Sequence, residues 1–401
     1  MMKKISTTLL AVAALGVTAT DASAQITGFT KLATEAQLLA PQGAKADFDA
    51  NALTVGPTGV IYLVDADAGT PSGQSILRVT PGSPSPTVEL MADNAAIVAA
   101  IEAVNGTSTV TSFSPRGVGV AANGNIIVMG FTSATNADTL LSLSNAAPAT
   151  ITVLHTSVDG ANSIIDGAEA LTIIGNTAYV ATNENNGNAT TADSIVAFDV
   201  TGSGPALAGT TIINKAALEA AYGVAGESWA NHLTNNGTDL FAIISGSATA
   251  PDVVGKITTA GVATVHVDKT SIVAALAALD AGATTDLGYG AIAIDPTGTL
   301  YLGNSFGNAG SSFDDSIIVI SNISGGTGTV TTIAKSGSGG LTEQLGVTAA
   351  TPFLANDSFA YDSTNNRIVF SEGSQTPANA EGVWAINPIP STSSVSDWSV
   401  Q

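Results

Sequence analysis

Two short apolar strands flank a tight turn in Ala52-Leu-Thr-Val-Gly-Pro-Thr-Gly-Val-Ile-Tyr-Leu63, and the same pattern returns five more times along the chain. The later copies are Gly117-Val-Gly-Val-Ala-Ala-Asn-Gly-Asn-Ile-Ile-Val128, Ala170-Leu-Thr-Ile-Ile-Gly-Asn-Thr-Ala-Tyr-Val180, His232-Leu-Thr-Asn-Asn-Gly-Thr-Asp-Leu-Phe-Ala242, Ala291-Ile-Ala-Ile-Asp-Pro-Thr-Gly-Thr-Leu-Tyr-Leu302 and Ser358-Phe-Ala-Tyr-Asp-Ser-Thr-Asn-Asn-Arg-Ile-Val-Phe370. Successive copies are about 60 residues apart. Such a period indicates a propeller or a solenoid, because one unit cannot bury its own apolar face and must stack on its neighbours.

A third apolar segment follows every copy, and a fourth follows all but the last copy. The fourth segments are Thr87–Leu90, Thr150–Leu154, Thr210–Ile213, Ala263–Val267 and Thr329–Ile333. The segment Ile26–Ala33 has the same pattern and can supply the strand that the last copy lacks. The sequence therefore predicts an all-β fold: a six-bladed β-propeller of four-stranded antiparallel blades, closed by the N-terminal strand.

Helical patterns occur in the insertions between the fourth strand of one repeat and the first strand of the next. Leu, Ile and Val recur there at three- and four-residue spacing, in Thr34–Leu39, Asn94–Val104, Lys215–Ala221 and Ser271–Leu279. These connections leave the blades on one face, so short helices are expected around one mouth of the central channel. They could form the wall of a pocket there or a lid that only thickens the core.

The N terminus has the pattern of an export signal. Lys3 and Lys4 precede the short apolar run Ile5–Val17, and Ala22-Ser23-Ala24 is a small-residue cleavage site. The predicted organisation is a signal peptide over residues 1–24, the propeller over 25–390 and a C-terminal tail over 391–401. The expected location is the periplasm or the extracellular space, and no segment is long enough to predict a membrane span.

The charge balance excludes some partners. The chain has 32 acidic and 11 basic residues, a formal net charge of −21 and no cysteine. Few bases are available to neutralise phosphates, so nucleic acid is not an expected partner. Without cysteine there are no disulfides, thiolate metal sites or cysteine nucleophiles.

One position in each repeat, just before the predicted first strand, is expected to face the channel. Its occupants in ring order are Asn51, Arg116, Glu169, Asn231, Gly290 and Asp357. Several of these side chains carry hard oxygen donors, which are the ligands that Ca²⁺ requires. A calcium site formed by Asn51, Glu169, Asn231 and Asp357 is therefore one hypothesis for the centre of the ring.

The repeated phrase resembles that of the senescence-marker/gluconolactonase and NHL-type six-bladed propellers. The resemblance rests on Pro115-Arg116-Gly-Val-Gly-Val120 and Asp295-Pro-Thr-Gly-Thr-Leu-Tyr-Leu302. Members of the first group hold a divalent cation at the channel with Glu, Asn and Asp side chains and hydrolyse lactones or related esters. The resemblance implies the same role for the four oxygen donors of this chain.

Arg116 departs from that pattern. A guanidinium between Asn51 and Glu169 favours a salt bridge with Glu169, which would make the centre a polar plug without a metal. His232 is a weak candidate for proton transfer, since it is the histidine nearest the predicted channel mouth. His155 and His266 belong to fourth strands and are expected at the rim, and Asp65 with Asp67 forms an oxygen-rich loop.

Two functional hypotheses remain open at this stage. The first is an exported propeller that binds a small molecule, a glycan or a protein through its helix-bearing face, with or without Ca²⁺. The second is a metal-dependent hydrolase of lactones or esters. The polar loops favour the first hypothesis and the resemblance favours the second, so the sequence leaves open whether the protein is an enzyme.

Overall fold

Six antiparallel sheets of four strands each make up the described part of this computed structural model. The described residues are 29–43, 45, 48–65, 74–106, 110–132, 138–156, 164–165, 167–183, 193–223, 229–245, 253–268, 270–274, 289–304, 316–334, 358–372 and 382–386. The predicted signal peptide, the predicted C-terminal tail and Asp357 lie outside these ranges.

The strands follow one another along the chain, blade by blade. The first strand is β1 (Phe29–Thr34). Blade one comprises β2 (Ala50–Val55), β3 (Ile61–Asp65), β4 (Ser75–Thr80) and β5 (Thr87–Asp93). Blade two comprises β6 (Phe113–Val120), β7 (Ile126–Thr132), β8 (Asp138–Leu143) and β9 (Ile151–Thr156). Blade three comprises β10 (Ala168–Ile174), β11 (Thr177–Thr182), β12 (Ile195–Asp199) and β13 (Thr210–Ile213).

The second half of the ring repeats this order. Blade four comprises β14 (Trp229–Asn235), β15 (Asp239–Ser245), β16 (Val253–Thr258) and β17 (Ala263–Asp268). Blade five comprises β18 (Tyr289–Ile294), β19 (Leu300–Asn304), β20 (Ser316–Ser324) and β21 (Thr327–Ala334). Blade six comprises β22 (Phe359–Asp362), β23 (Arg367–Glu372) and β24 (Gly382–Ile386). The first strand of each blade contacts the first strands of its two neighbours, which confirms the six-bladed ring.

The N-terminal strand closes the ring, as predicted. Strand β1 pairs with β24 from Phe29 opposite Ile386 to Thr34 opposite Gly382, so the sixth sheet has the order β1-β24-β23-β22. Leu32 and Ala33 are buried in a core cluster with residues of blades one and six. The closure therefore combines backbone pairing with apolar burial, and it covers an edge of β24 that would otherwise be exposed.

Each turn between a first and a second strand contains a residue in the left-handed region. These residues are Gly59, Gly124, Gly175, Gly237, Gly298 and Asn366. Glycine adopts a positive φ without a Cβ clash, and asparagine tolerates it better than most residues. The Asn-Gly and Thr-Gly pairs of the repeated phrase thus fix the tight turns on one face of the ring.

Blades two and three pack through glycines of the first strand of blade two and large residues of the first strand of blade three. A Cβ built on Gly117 would lie 2.6 Å from Cβ of Leu171, and one built on Gly119 would overlap Cγ1 of Ile173. At the junction of blades six and one, the backbone amide of Leu53 donates to Oγ of Ser358 over 3.0 Å. Even the Cβ of an alanine therefore does not fit at Gly117 or Gly119 unless the neighbouring blade moves.

Short helices follow several fourth strands, all on the face opposite the tight turns. They are α1 (Glu35–Leu39), α2 (Asn94–Asn105) and α3 (Lys215–Tyr222), and residues 270–274 are helical as well. Asp93 and Asn214 cap α2 and α3 by accepting from the backbone amides of Ala96 and Ala217. Ile97 and Ile101 of α2 are buried in a core cluster of blades one and two. No helix in the described ranges has the length and apolarity needed to cross a membrane.

Candidate functional site

The residues that were predicted to face the channel coincide with β-bulges in blades one to five. The pairing of the first and second strands shifts register at Asn51, Arg116, Glu169, Asn231 and Gly290 in blades one to five. The boundary prediction was wrong in one respect, because the first strands of blades one to five start two to four residues earlier than predicted and contain these residues. A bulge leaves one residue unpaired and bends the strand, so it re-aims that residue.

These bulges surround a cavity of about 360 Å³ at the helix-bearing mouth of the channel, which we call the helix-side cavity. It is defined by Asn51, Arg116, Glu169, His232, Gly290 and Ser358, with apolar side chains beneath them. None of its described lining residues belongs to a helix. Among the described residues, the helices therefore do not form the cavity wall that was one of the two expectations; α2 and α3 pack against outer strands.

Arg116 brings a positive charge to this cavity. Its side chain is exposed, and Cζ lies 5.2 Å from the centroid of the Phe131 ring. A guanidinium over an aromatic face gains a cation–π attraction and loses some of its freedom. The charge is therefore partly held in place and remains accessible to a ligand.

Glu169 supplies the opposite charge. Burial raises the pKa of its carboxyl group, and the nearby charge of Arg116 opposes this rise. The two side chains make no ion pair within 4.0 Å, although both belong to the described residues. The predicted salt bridge between Arg116 and Glu169 is therefore not formed. The two charges interact over a longer distance, and space remains between the guanidinium and the carboxyl group.

Three polar side chains complete the described part of the helix-side cavity. Asn51 donates from Nδ2 to the carbonyl oxygen of Pro115 over 3.4 Å, so its amide links blades one and two. Ser358 bonds the backbone of Leu53. His232 lines the cavity at the place where the other repeats have alanine, glycine or serine. It is the bulkiest polar group at that level, and no general-base geometry follows from its position alone.

The predicted calcium ligands are only partly described. Asn51 and Glu169 lie in the helix-side cavity, whereas Asp357 and the side chain of Asn231 are outside the description. Within the described residues, no group of three or more His, Asp or Glu side chains could hold a metal ion. One carboxylate and one amide beside a guanidinium fit poorly to a cation that takes 6–8 oxygen ligands. The calcium site stays a prediction that depends on Asp357.

Asp65, which the sequence placed in an oxygen-rich loop, is fully buried and already occupied. Lys45 Nζ lies 2.5 Å from its carboxylate, Gln42 Nε2 donates to it, and so does the backbone amide of Asp49. A carboxylate with these three partners has little capacity left for a cation. Its role is to tie the segment after α1 to the end of β3.

A second cavity, of about 450 Å³, opens at the opposite mouth among the tight turns. We call it the turn-side cavity and define it by Thr54, Pro57, Thr172, Thr234, Asn236 and Tyr361. An apolar girdle lies between the two cavities, with one side chain per blade: Leu53, Val118, Leu171, Leu233, Ile292 and Phe359. The girdle was not predicted from the sequence, although its members stand two residues after each channel position in every repeat.

His155 and His266 lie on the outer strands β9 and β17, as predicted, but both side chains are half-buried there. Nε2 of each ring is buried without a hydrogen-bond partner, and the His266 ring makes an edge contact with Phe241 at 4.9 Å between centroids. Burial, aided by the charge of Lys256, lowers the pKa of His266 to about 4. Both histidines are distant in the fold from the two cavities, because they belong to outer strands.

The low pKa of His266 predicts a loss of stability in acid. The unfolded chain binds a proton near pH 6.5 and the folded protein only near pH 4, so the contribution is complete above 6.5 and declines as the pH falls toward 4. Thermal melts of the wild type and His266→Phe at several pH values test this. The difference between the two Tm values should be constant above pH 7. Near pH 4 the Tm of His266→Phe should rise by several degrees relative to that of the wild type. A difference that does not vary with pH contradicts the assignment.

No protein-family model and no curated protein matches the sequence of this chain. Solved structures resemble it in fold. A proposed oxidoreductase (glucose dehydrogenase) from Thermus thermophilus has 10% identity over 89% of this chain and 98% of its own, with a TM-score of 0.48. The β-propeller domain of the trilobed protease from Pyrococcus furiosus has 8% identity over 86% and 95%, with a TM-score of 0.40. The Malassezia sympodialis allergen Mala s 1 has 12% identity over 67% and 75%, with a TM-score of 0.42.

Proposed function

We propose that the protein is an exported binding propeller whose helix-side cavity holds a small carboxylic acid that also carries a hydroxyl or amino group. One observation carries this proposal: Arg116 and Glu169 line the same cavity, their charges interact, and they do not contact each other. A ligand with a carboxylate and a hydrogen-bond donor matches these two groups. The volume of about 360 Å³ falls within the range of small-molecule sites.

The same cavity gives the alternative function a specific basis. A carboxyl group with a raised pKa in a cavity, near a histidine, is a common feature of catalytic sites. In a metal-dependent hydrolase of the gluconolactonase type, Asn51, Glu169, Asn231 and Asp357 would hold Ca²⁺. Lactone hydrolysis would then require the metal. Because Arg116 opposes a divalent cation at this place, we favour the binding function.

We expect Arg116→Gln to weaken the binding of D-gluconate or L-lactate at least about tenfold, because the charge-assisted hydrogen bonds to the carboxylate are lost. Saturation-transfer NMR and calorimetry measure this. Glu169→Gln should reduce the preference for the hydroxy acid over acetate, since acetate has no donor for this side chain. Lys256→Gln changes a cation on β16, the third strand of blade four and outside both cavities, and serves as the control. Equal affinity of the wild type and Arg116→Gln for D-gluconate would contradict the proposal.

Calcium titration separates the two functions in the same samples. If the binding function is correct, neither the wild type nor Arg116→Gln binds Ca²⁺ stoichiometrically, and glucono-δ-lactone is hydrolysed at the buffer rate. If the hydrolase function is correct, the wild type retains Ca²⁺, Arg116→Gln binds it more tightly, and EDTA removes the lactonase activity.

A further inference from the structure

The turn-side cavity differs from the helix-side cavity in its electrostatic character. All of its lining residues within the described ranges are uncharged, although the chain as a whole has a formal net charge of −21. The helix-side cavity, in contrast, contains Arg116 and Glu169. Because the apolar girdle lies between them, the channel has two compartments of different chemistry. A charged ligand gains no ion pair from a described residue in the turn-side compartment.

Hydroxyl groups stand at one level of this compartment, on three first strands. Thr54, Thr172 and Thr234 occupy the same repeat position, three residues after the bulge of blades one, three and four. Thr54 and Thr234 are half-buried, and their hydroxyls have no partner within the described part of the protein. They therefore remain available both to donate and to accept.

Hydrogen bonds hold the neighbouring polar side chains in place and leave some of their donors and acceptors unused. Asn235 Nδ2 donates to Oγ1 of Thr172 over 2.6 Å, so the Thr172 hydroxyl can still donate. The side-chain oxygen of Asn236 accepts from the backbone amides of Thr238 and Asp239, and its NH₂ group has no acceptor among the described residues. The cavity thus offers neutral donors and acceptors on fixed supports.

Apolar side chains form part of the wall and the floor of this compartment. Tyr361 donates from its hydroxyl to Oδ1 of Asn366 over 3.0 Å, which fixes the ring at the wall. Phe359 and Leu171 belong to the girdle that forms the floor. An aromatic ring and an aliphatic floor pack against the C–H faces of a ligand, while the hydroxyls and amides bind its polar edge.

We propose that the turn-side cavity is a binding site for a neutral polyhydroxylated molecule of about one sugar ring, either a free sugar or the terminal unit of a neutral glycan. The hydroxyls of Thr54, Thr172 and Thr234 and the amide of Asn236 bind the ligand hydroxyls. Tyr361 and the girdle pack against its ring. This site lies at the mouth opposite the helix-side cavity and acts independently of it.

Saturation-transfer NMR on the wild-type protein tests this with D-glucose, D-galactose and D-mannose, against D-glucuronate and D-glucosamine as charged relatives. We expect at least one neutral hexose to bind and both charged relatives to bind at least about tenfold more weakly. Backbone amide shifts should change at Asn235, Asn236 and Gly237 on addition of that hexose. Dextran distinguishes the sources: tighter binding than the free sugar indicates a glycan end, and equal or weaker binding indicates a free sugar.

Matched variants locate the site. Thr54→Val with Thr234→Val removes two hydroxyls at nearly constant volume and should weaken the binding of the hexose at least about tenfold, while Thr54→Ser with Thr234→Ser should retain it. Thr264→Val, an exposed change on the outer strand of blade four, is the control. The proposal is overturned if no neutral hexose binds at millimolar concentration, if the charged relatives bind equally well, or if the amide shifts lie elsewhere. All three results need only the wild-type protein.

Discussion

Deletion of Phe29–Thr34 is expected to leave a protein that aggregates or melts at a much lower temperature. This strand is the only partner of one edge of β24 within the described residues, and it buries Leu32 and Ala33. Each backbone group that loses its partner in a buried place costs roughly 1–3 kcal/mol, against a total stability on the order of 5–15 kcal/mol. Several lost hydrogen bonds together are therefore comparable to the whole stability. Size-exclusion chromatography and a melt followed by circular dichroism measure the effect.

A pair of point variants separates the closure from a general effect of altering the N terminus. Ala33→Asp places a charge at a residue that is 1% exposed, whereas Ala36→Asp places the same charge on the exposed side of α1. The first should lower the Tm strongly and the second only slightly, because an unpaired carboxylate is costly only in a buried position. Equal melting temperatures for the deletion variant and the wild type would contradict the closure of the ring by β1.

Replacement of Lys45 by methionine is expected to be the most destabilising change of a single charged side chain. Lys45 Nζ lies 2.5 Å from the carboxylate of Asp65, and the two side chains are 3% and 0% exposed. Removal of one partner of a buried pair leaves the other charge uncompensated, at a cost of about 3–5 kcal/mol. Lys256→Met is the control, since its pair with Asp239 is 38% and 20% exposed and should contribute about 0–1 kcal/mol.

The effect of Lys45→Met should grow with pH. Burial raises the pKa of Asp65 and Lys45 lowers it again, so its removal raises the pKa of the folded state further above that of the unfolded chain. When the pKa of a carboxyl group is higher in the folded state than in the unfolded chain, the free energy of unfolding falls as the pH rises through the folded-state pKa. Urea denaturation at pH 5 and pH 8 checks this. A loss of stability that is larger at pH 5 would contradict the buried pair.

The strands and the closure could be predicted from the sequence because their signals are local. A period of two in the apolar residues and a tight turn with Gly or Asn define each strand pair without knowledge of its neighbours. The N-terminal segment Ile26–Ala33 matched the pattern of the fourth strands, and the pairing of β1 with β24 confirms that prediction.

The channel residues were predicted less completely, for physical reasons. A bulge is defined by the register of the partner strand, so the sequence of Ala50–Val55 alone does not show that Asn51 is unpaired. The contact of Lys45 with Asp65 joins residues of different segments and depends on how the segment after α1 folds back. The apolar girdle, in contrast, was accessible, because each member follows a predicted channel position at a constant interval.

The electrostatics of the helix-side cavity required three-dimensional distances. The sequence placed Arg116 beside Glu169 in ring order and predicted a salt bridge. The structure shows the guanidinium over Phe131 and the carboxylate half-buried, with a charge interaction but no contact. The stacking partner was not predictable, since Phe131 lies on the second strand of the same blade.

A crystal structure of the protein soaked with D-gluconate tests the central claim most directly. We predict electron density in the helix-side cavity, with the ligand carboxylate within hydrogen-bond distance of the Arg116 guanidinium and a ligand hydroxyl at the carboxylate of Glu169. A cavity that holds a calcium ion coordinated by Asn51 and Glu169, or gluconate bound only outside it, would contradict the claim.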